Sequence, residues 1–139
     1  MSKAPIFLYL LLSLSLPSAY GQSGEPTTIS ELLKTSSSWD GSPLPDYPQG
    51  KPEITIARIT IQPGAALPLH RHPMINAGVL LSGELTVSTA DHKTIHLKAG
   101  DAIAEVVNTW HFVKNDGKVP AEIVVFYAGR VGDPVTIKK

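Results

Sequence analysis

Hydrophobic and polar residues alternate along most of the chain beyond residue 52, with the period of two that is typical of half-buried β-strands. The alternation is clearest in EITIARITI, residues 53–61, which precedes the turn pair Pro63-Gly64. Further short segments follow, each bounded by Gly, Asn, Asp or Pro: AGVLLSGELTVST, KTIHLKAGD, AIAEVV, WHFVKN and AEIVVFYAG. The first of these, with Ser82-Gly83 at its centre, is interpreted as a β-hairpin. Because no helical period competes, the pattern predicts one all-β domain, an antiparallel sandwich or barrel.

The N-terminal segment, residues 1–21, has the pattern of a secretory signal peptide. One early cation precedes an apolar run from Ile6 to Leu16, and the small residues Ala19 and Gly21 suit a signal-peptidase site. The run is too short to span a bilayer comfortably. We therefore expect cleavage and export, to the periplasm, and no membrane attachment afterwards. The alternative is an uncleaved N-terminal anchor.

Residues 22–52 are rich in Pro, Gly and Ser and form a candidate N-terminal arm. Thr28 and Glu31, three positions apart, fit a capping box, which predicts a short helix through ISELLK. Trp39 and Tyr47 lie among prolines farther along. Since disordered linkers contain few aromatic residues, we expect the arm to pack on the domain or on a neighbouring subunit.

Composition limits the class of function. Without residues 1–21 the 139-residue chain is long enough for one small domain, which we assign to residues 53–131, followed by a C-terminal tail at residues 132–139. There is no cysteine, so stability must come from packing rather than from disulfides. The 12 basic and 12 acidic residues balance, and no basic cluster points to nucleic acid or an anionic membrane. A small molecule or another protein is the expected partner.

The most distinctive chemistry lies in LHRHP, residues 69–73, where two histidines are one residue apart. In an extended strand, residues i and i+2 project from the same face. His70 and His72 can therefore converge on one ion, while Arg71 points away. Alone, such a pair is a weak signal, because exposed or core histidines are commoner than metal ligands.

The residues around this pair make the pattern specific. Two blocks of the chain have the spacings G-x5-H-x-H-x3-N-x6-G and G-x5-V-x-N-x2-H-x3-N, beginning at Gly64 and at Gly100. They resemble the paired motifs of the cupin superfamily, G-x5-H-x-H-x3-E-x6-G and G-x5-P-x-G-x2-H-x3-N. The residues match at seven positions and depart at three: Gly64, His70, His72, Gly83, Gly100, His111 and Asn115 match, whereas Asn76, Val106 and Asn108 differ.

The resemblance extends over about residues 53–129 and implies a double-stranded β-helix, the small cupin jelly-roll barrel, with a metal near one open mouth. It also implies that His70, His72 and His111 bind one divalent transition metal ion (Fe, Mn, Ni, Cu or Zn). Asn76 then occupies the place of the fourth ligand.

Backbone requirements give further expectations. Gly64, Gly83 and Gly100 should occupy turns with positive φ, which is cheap only for glycine. Asn108, which replaces a motif glycine, is among the few other residues that adopt this region. Three aromatic residues of the predicted strands are assigned to the core: Phe112, Phe126 and Tyr127.

Two residues leave the chemistry of the site open. The neutral amide oxygen of Asn76 is a weaker ligand for a transition metal than a carboxylate. Asn76 could coordinate the ion, hydrogen-bond a metal-bound water or the substrate, or mark an empty site. Glu105 lies in an apolar stretch shortly before the turn that leads to His111. It is the candidate catalytic residue, as a general acid–base or a substitute metal ligand; the alternative is a solvent-facing or structural glutamate.

Three classes of function remain. A three-histidine site with open positions is typical of catalytic metal sites, which favours a metal-dependent enzyme of the oxygenase, isomerase or lyase type acting on a small anionic molecule. The alternatives are a non-catalytic protein that binds a metal or small ligand, and a scaffold whose arm is the functional part. Small cupin barrels commonly pair through their outer sheets, so the resemblance also implies a homodimer.

Overall fold

The computed structural model describes residues 27–139; the predicted signal peptide and residues 22–26 lie outside the described residues. The described residues form nine strands: β1 Pro52–Ile61, β2 Ala66–Arg71, β3 Ile75–Ser82, β4 Glu84–Thr89, β5 Thr94–Lys98, β6 Ala102–Ala104, β7 His111–Lys114, β8 Ala121–Arg130 and β9 Ile137–Lys138. All nine of these strands belong to one compact unit, residues 31–139. Within the described range, no helix is long and apolar enough to cross a membrane.

The strands form two antiparallel sheets that enclose one core. The four-stranded sheet has the order β1-β8-β3-β6, and the five-stranded sheet has the order β5-β4-β7-β2-β9. Apart from β4 and β5, strands that are consecutive in sequence lie in different sheets. This arrangement is the jelly-roll barrel of the double-stranded β-helix. The predicted all-β cupin architecture is therefore confirmed.

Alternation along the strands decides which aromatic residues are buried. In β8 the inward positions include Val125 and Tyr127, and Tyr127 is 4% exposed. Phe126 lies between them and must point outward, because successive strand residues face opposite sides. Phe112 follows the buried His111 in β7 and faces outward for the same reason. The core assignment is confirmed for Tyr127 and wrong for Phe112 and Phe126.

The predicted hairpin around Ser82-Gly83 is wrong in its pairing. β3 pairs with β6 and β8, whereas β4 pairs with β5 and β7. Gly83 carries the chain from one sheet to the other with φ +75°, and a Cβ there would lie 2.8 Å from the Cα of Ala121. Only glycine fits this crossing. The other predicted positive φ values are confirmed: +76° at Gly64, +95° at Gly100 and +53° at Asn108.

The predicted capping-box helix is also wrong, because residues 27–35 have no helical structure. So short a helix forms one or two turns at most, too few to offset the cost of nucleation without tertiary packing. Leu32 and Leu33 stay 59% and 43% exposed and bury too little surface to supply that packing.

The next part of the arm does pack on the domain. Ser38 is buried, and its Oγ donates a hydrogen bond to the carbonyl of Glu105 over 2.8 Å. The amide of Trp39 donates to the carbonyl of Ala104 over 2.9 Å, and the indole packs against the core. These contacts hold the backbone at the end of β6, immediately beside the candidate site.

Candidate metal centre

The three motif histidines come together between the two sheets. His70 lies in β2 and its register partner across the sheet is His111 at the start of β7. His72 lies just beyond β2, where its backbone bridges to Val107. All three side chains are buried, and the candidate ligand nitrogens lie within 4.8 Å of one another. The two-residue spacing therefore places both first-block histidines inside, as strand geometry predicts.

Each imidazole is oriented by a backbone carbonyl. The Nδ1 atoms lie within hydrogen-bond distance of carbonyl oxygens: His70 and Pro68 at 2.6 Å, His72 and Val135 at 2.6 Å, His111 and Thr109 at 2.9 Å. Since a carbonyl oxygen only accepts, each Nδ1 carries the ring proton and each Nε2 keeps its lone pair. Neutral imidazoles held in this tautomer are the form that binds a transition metal.

One of these carbonyls comes from the C-terminal tail. Val135 precedes β9, which pairs with β2 so that Lys138 lies opposite His70. No sequence pattern indicates this role, because a backbone carbonyl has no side-chain signature and β9 contains only two residues. The tail is therefore part of the structure that orients His72.

Asn76 in β3 and Glu105, the residue that follows β6, lie opposite each other in the other sheet. The amide of Glu105 donates to the carbonyl of Asn76 over 3.0 Å, and the side chains are 7% and 1% exposed, respectively. The Asn76 Nδ2 donates to the carbonyl of Met74 over 3.2 Å, which leaves its Oδ1 facing the interior. The Glu105 Oε2 lies 3.5 Å from the Nε2 of His111. Both predicted site residues thus adjoin the histidines.

Three buried acceptor atoms at this place have no hydrogen-bond partner in the described part of the chain: the Asn76 Oδ1, the Glu105 Oε2 and the His111 Nε2. Burial of an unpaired acceptor costs about 1–3 kcal/mol, and more for a charged group. A cation among the histidines would compensate the Glu105 Oε2 and the His111 Nε2, which lie 3.5 Å apart. The residues present therefore fit a divalent metal ion.

Burial also sets the protonation of these groups. It raises the pKa of Glu105 to about 7. Burial lowers the pKa of His72 to about 4, against the opposing hydrogen bond to Val135, and it lowers the pKa of His70 and His111 as well. The imidazoles are therefore uncharged at neutral pH, as metal binding requires.

Two cavities adjoin the histidines. The inner one measures about 30 Å³ of space open to water centres and is bordered by His72, Asn76, Glu105 and Tyr127 among apolar core residues. It has room for about two waters. The aromatic ring of Tyr127 lies 5.2 Å from that of His72, centre to centre. The sequence assigned Tyr127 only to the core and missed its place beside the site.

The outer cavity measures about 280 Å³ and is bordered by His70, Tyr127, Thr136 and Lys138, together with apolar residues of β1 and β2. Ile59, Leu67 and Tyr127 border both this cavity and the inner one. Lys138 is close enough that its charge contributes to the lowered pKa of His70, after burial and His111. This cavity therefore borders His70 and has a positive charge at its edge.

Comparison with known sequences decides the family. A profile described as a cupin domain matches residues 57–127, just over half of the chain. This chain belongs to the cupin family. The spacing of the two motif blocks and the three gathered histidines agree with that membership.

Several proteins similar to this cupin are larger than it is. It is 37% identical over 79 residues to a germin-like protein, subfamily 2 member 1, of Arabidopsis thaliana, covering 53% of this chain and 36% of the relative. An oxalate oxidase structure in complex with the substrate analogue glycolate has 26% identity and a TM-score of 0.53, covering 60% of this chain and 45% of the other. The Bacillus subtilis oxalate decarboxylase, with Mn(II) centres, has 28% identity and a TM-score of 0.53, covering 61% and 23%. This chain thus spans less than half the length of each.

Proposed function

We propose that this cupin is an exported, metal-dependent enzyme that acts on a small anionic molecule. The observation that carries the proposal is the set of three buried imidazoles whose Nδ1–H groups bind backbone carbonyls and whose Nε2 lone pairs remain free. His70, His72 and His111 would hold one divalent transition metal ion. Such an ion supplies Lewis-acid or redox chemistry. Export rests on the signal-like residues 1–21.

An anionic substrate is supported by the charges around the site. Three neutral imidazoles do not offset the charge of a divalent ion, so an anion is favoured beside it. Lys138 adds a positive charge at the outer cavity, opposite His70. Among the similar structures are an oxalate oxidase with glycolate and an oxalate decarboxylase. We extend their substrate class, small carboxylic acids, to this chain.

Different residues of the outer cavity would have different roles in binding such an acid. The ammonium group of Lys138 attracts a carboxylate to the outer cavity. Ile59 and Leu67 form an apolar wall that keeps bulk water from the histidines. Tyr127 lies where the two cavities meet, and burial, together with the nearby Glu105, raises its pKa. Its hydroxyl therefore keeps its proton and can donate a hydrogen bond to an anion.

The small inner cavity favours a second candidate, a non-catalytic protein that binds a metal or small ligand. About 30 Å³ beside His72 and Asn76 leaves room for two waters and for nothing much larger. Turnover separates the two candidates, because a binding protein holds the ion and the acid without changing the acid.

The test is to load the protein with Mn(II), Fe(II), Ni(II), Cu(II) or Zn(II) and incubate it with oxalate, glycolate and related acids. Oxygen uptake is recorded with an electrode and products by NMR. We expect turnover with at least one metal, and a KM about tenfold higher in Lys138→Gln, since one charge contact is lost. Lys139→Gln, its matched control, should leave KM unchanged. Binding of an acid without turnover under any loading would replace the enzyme with the binding protein.

A further inference from the structure

The metal site of this cupin lacks the glutamate that the family motif has at position 76, yet a buried carboxylate lies directly across the sheet from that position. We propose that Glu105 is the carboxylate ligand of the site and takes over the part that a glutamate at position 76 plays in the family motif. This inference rests on the proposed metal site and identifies its fourth ligand.

The register of the sheet places the two positions side by side. β3 and β6 are antiparallel, with Ala77 opposite Ala104, and the next pair along is Asn76 and Glu105, joined by the 3.0 Å hydrogen bond from the Glu105 amide. Directly opposite residues share a face and have Cβ atoms about 4.5–5.5 Å apart. A carboxylate at position 105 therefore faces the same interior as a carboxylate at position 76 would.

Among the described residues, the buried carboxylate of Glu105 lacks a positively charged partner. Its Oε2 has no hydrogen-bond partner among residues 27–139, and the Nε2 of His111 lies 3.5 Å away. Because the Nδ1 of His111 donates to Thr109, its Nε2 presents a lone pair, so two acceptors face each other in a buried place. Buried carboxylates are normally paired with a positive group. A metal ion would supply that group.

The amide of Asn76 and the arm complete the arrangement. Asn76 holds its Nδ2 on the carbonyl of Met74, so its neutral Oδ1 is the only atom that it offers to the interior. Ser38 and Trp39 bind the carbonyls of Glu105 and Ala104 and fix the backbone that carries the carboxylate. With Glu105 ionised, three neutral imidazoles and one anion surround the ion, the same charge that the family motif provides.

The decisive experiment exchanges the two residues. Wild type, Glu105→Gln, the swap Asn76→Glu/Glu105→Asn and the exposed control Glu53→Gln are compared by metal content, by chelator competition for Zn(II), and by the visible spectrum of the Co(II) form. The swap keeps the total side-chain volume of the pair, so it should fold. Circular dichroism checks folding.

We expect Glu105→Gln to weaken metal binding at least tenfold and to change the Co(II) spectrum, because a charged ligand becomes a neutral one. The swap should recover most of the affinity, and Glu53→Gln should match wild type. If the swap fails to fold, Glu105→Asp replaces it and should bind more tightly than Glu105→Gln.

Three results would overturn the inference. Wild-type affinity and spectrum in Glu105→Gln would remove Glu105 from the site while leaving the three-histidine site intact. A folded swap no better than Glu105→Gln, or Glu105→Asp equal to Glu105→Gln, would show that Glu105 acts otherwise than as a carboxylate ligand. Absence of metal from the wild type under every loading would overturn the proposed function itself, and the role of Glu105 with it.

Discussion

At the scale of single residues, the site depends on main-chain atoms as much as on side chains. The carbonyls of Pro68, Val135 and Thr109 fix the tautomer of the three imidazoles. Since those carbonyls belong to the barrel and its tail, the free Nε2 atoms are held in place by the fold before any ion arrives. A preorganised site of this kind loses little conformational freedom on binding.

The acid–base properties of the same residues predict how the metal-free protein responds to pH. Burial lowers the pKa values of His70, His72 and His111. Below about pH 6.5 these histidines therefore bind more protons in the unfolded chain than in the folded chain. The free energy of unfolding of chelator-treated Glu105→Gln, which lacks the opposing titration of Glu105, should therefore fall as the pH drops from about 6.5 towards 4. Urea titrations across this range measure it. A stability independent of pH would contradict the protonation states described for the site.

The pKa shift of Glu105 changes the stability with pH in the opposite sense to the shifts of the three histidines. Its pKa rises from 4.5 in the unfolded chain to about 7 in the fold, so the folded metal-free protein binds a proton that the unfolded chain has lost, and stability falls as the pH rises from 4.5 to 7. Relative to wild type, metal-free Glu105→Gln should gain about 3 kcal/mol between pH 4.5 and pH 8. The measurement is the same urea titration. A difference that stays constant with pH, as expected for the exposed control Glu53→Gln, would contradict the burial of this carboxylate.

At the scale of elements, the short β9 is tied to metal binding. Val135 precedes β9 and orients His72. Deletion of residues 134–139 should weaken Zn(II) binding about 10–100-fold, the usual effect of losing a partner of a metal-binding histidine. The fold should remain, because β9 is an edge strand. Chelator competition measures the affinity, Lys139→Ala serves as control, and an unchanged dissociation constant would refute the role of the tail.

The connection between β3 and β4 gives a prediction about the backbone. Gly83→Ala should destabilise the protein by about 3 kcal/mol, because it combines positive φ with a Cβ placed 2.8 Å from the Cα of Ala121. Gly100→Ala has φ +95° but no atom within 4 Å, and should cost only about 1 kcal/mol. Urea unfolding of both variants measures the difference. Equal losses would show that the close approach at Gly83 is unimportant.

The sequence predicted the positions of the strands better than it predicted which strands pair with one another. Alternation identified β1 and β8, because it depends on residues close in sequence. The meeting of His111 with His70 and His72 was predicted only through the resemblance to the cupin motifs, since no local pattern joins the two blocks. The pairing of β3 was missed, since a Ser-Gly pair between two strands resembles a hairpin turn whether or not the strands join. The adjacency of Asn76 and Glu105 follows from sheet register, which no local pattern contains. The carbonyl of Val135 was missed for the same reason.

At the scale of the whole molecule, the outer face of the four-stranded sheet is unusually apolar. Ile54, Ile56 and Phe126 are 65%, 61% and 46% exposed, and Ile56 lies directly opposite Phe126 in the register of β1 and β8. The predicted homodimer would bury such a face. Sedimentation should give a dimer for wild type and a monomer for Ile56→Glu. Phe112→Glu, on the other sheet, should remain dimeric; a monomeric wild type would refute the prediction.

The central claim is that His70, His72 and His111 hold one metal ion. The most direct test is elemental analysis of the protein purified from its host, beside His70→Ala/His111→Ala and a matched control, His92→Ala/His96→Ala, whose histidines are exposed. We predict about one transition metal ion per chain in wild type and control, and none in the site variant. Its identity would separate redox from Lewis-acid chemistry. A wild type without metal after reconstitution, or a site variant that keeps its metal, would contradict the claim.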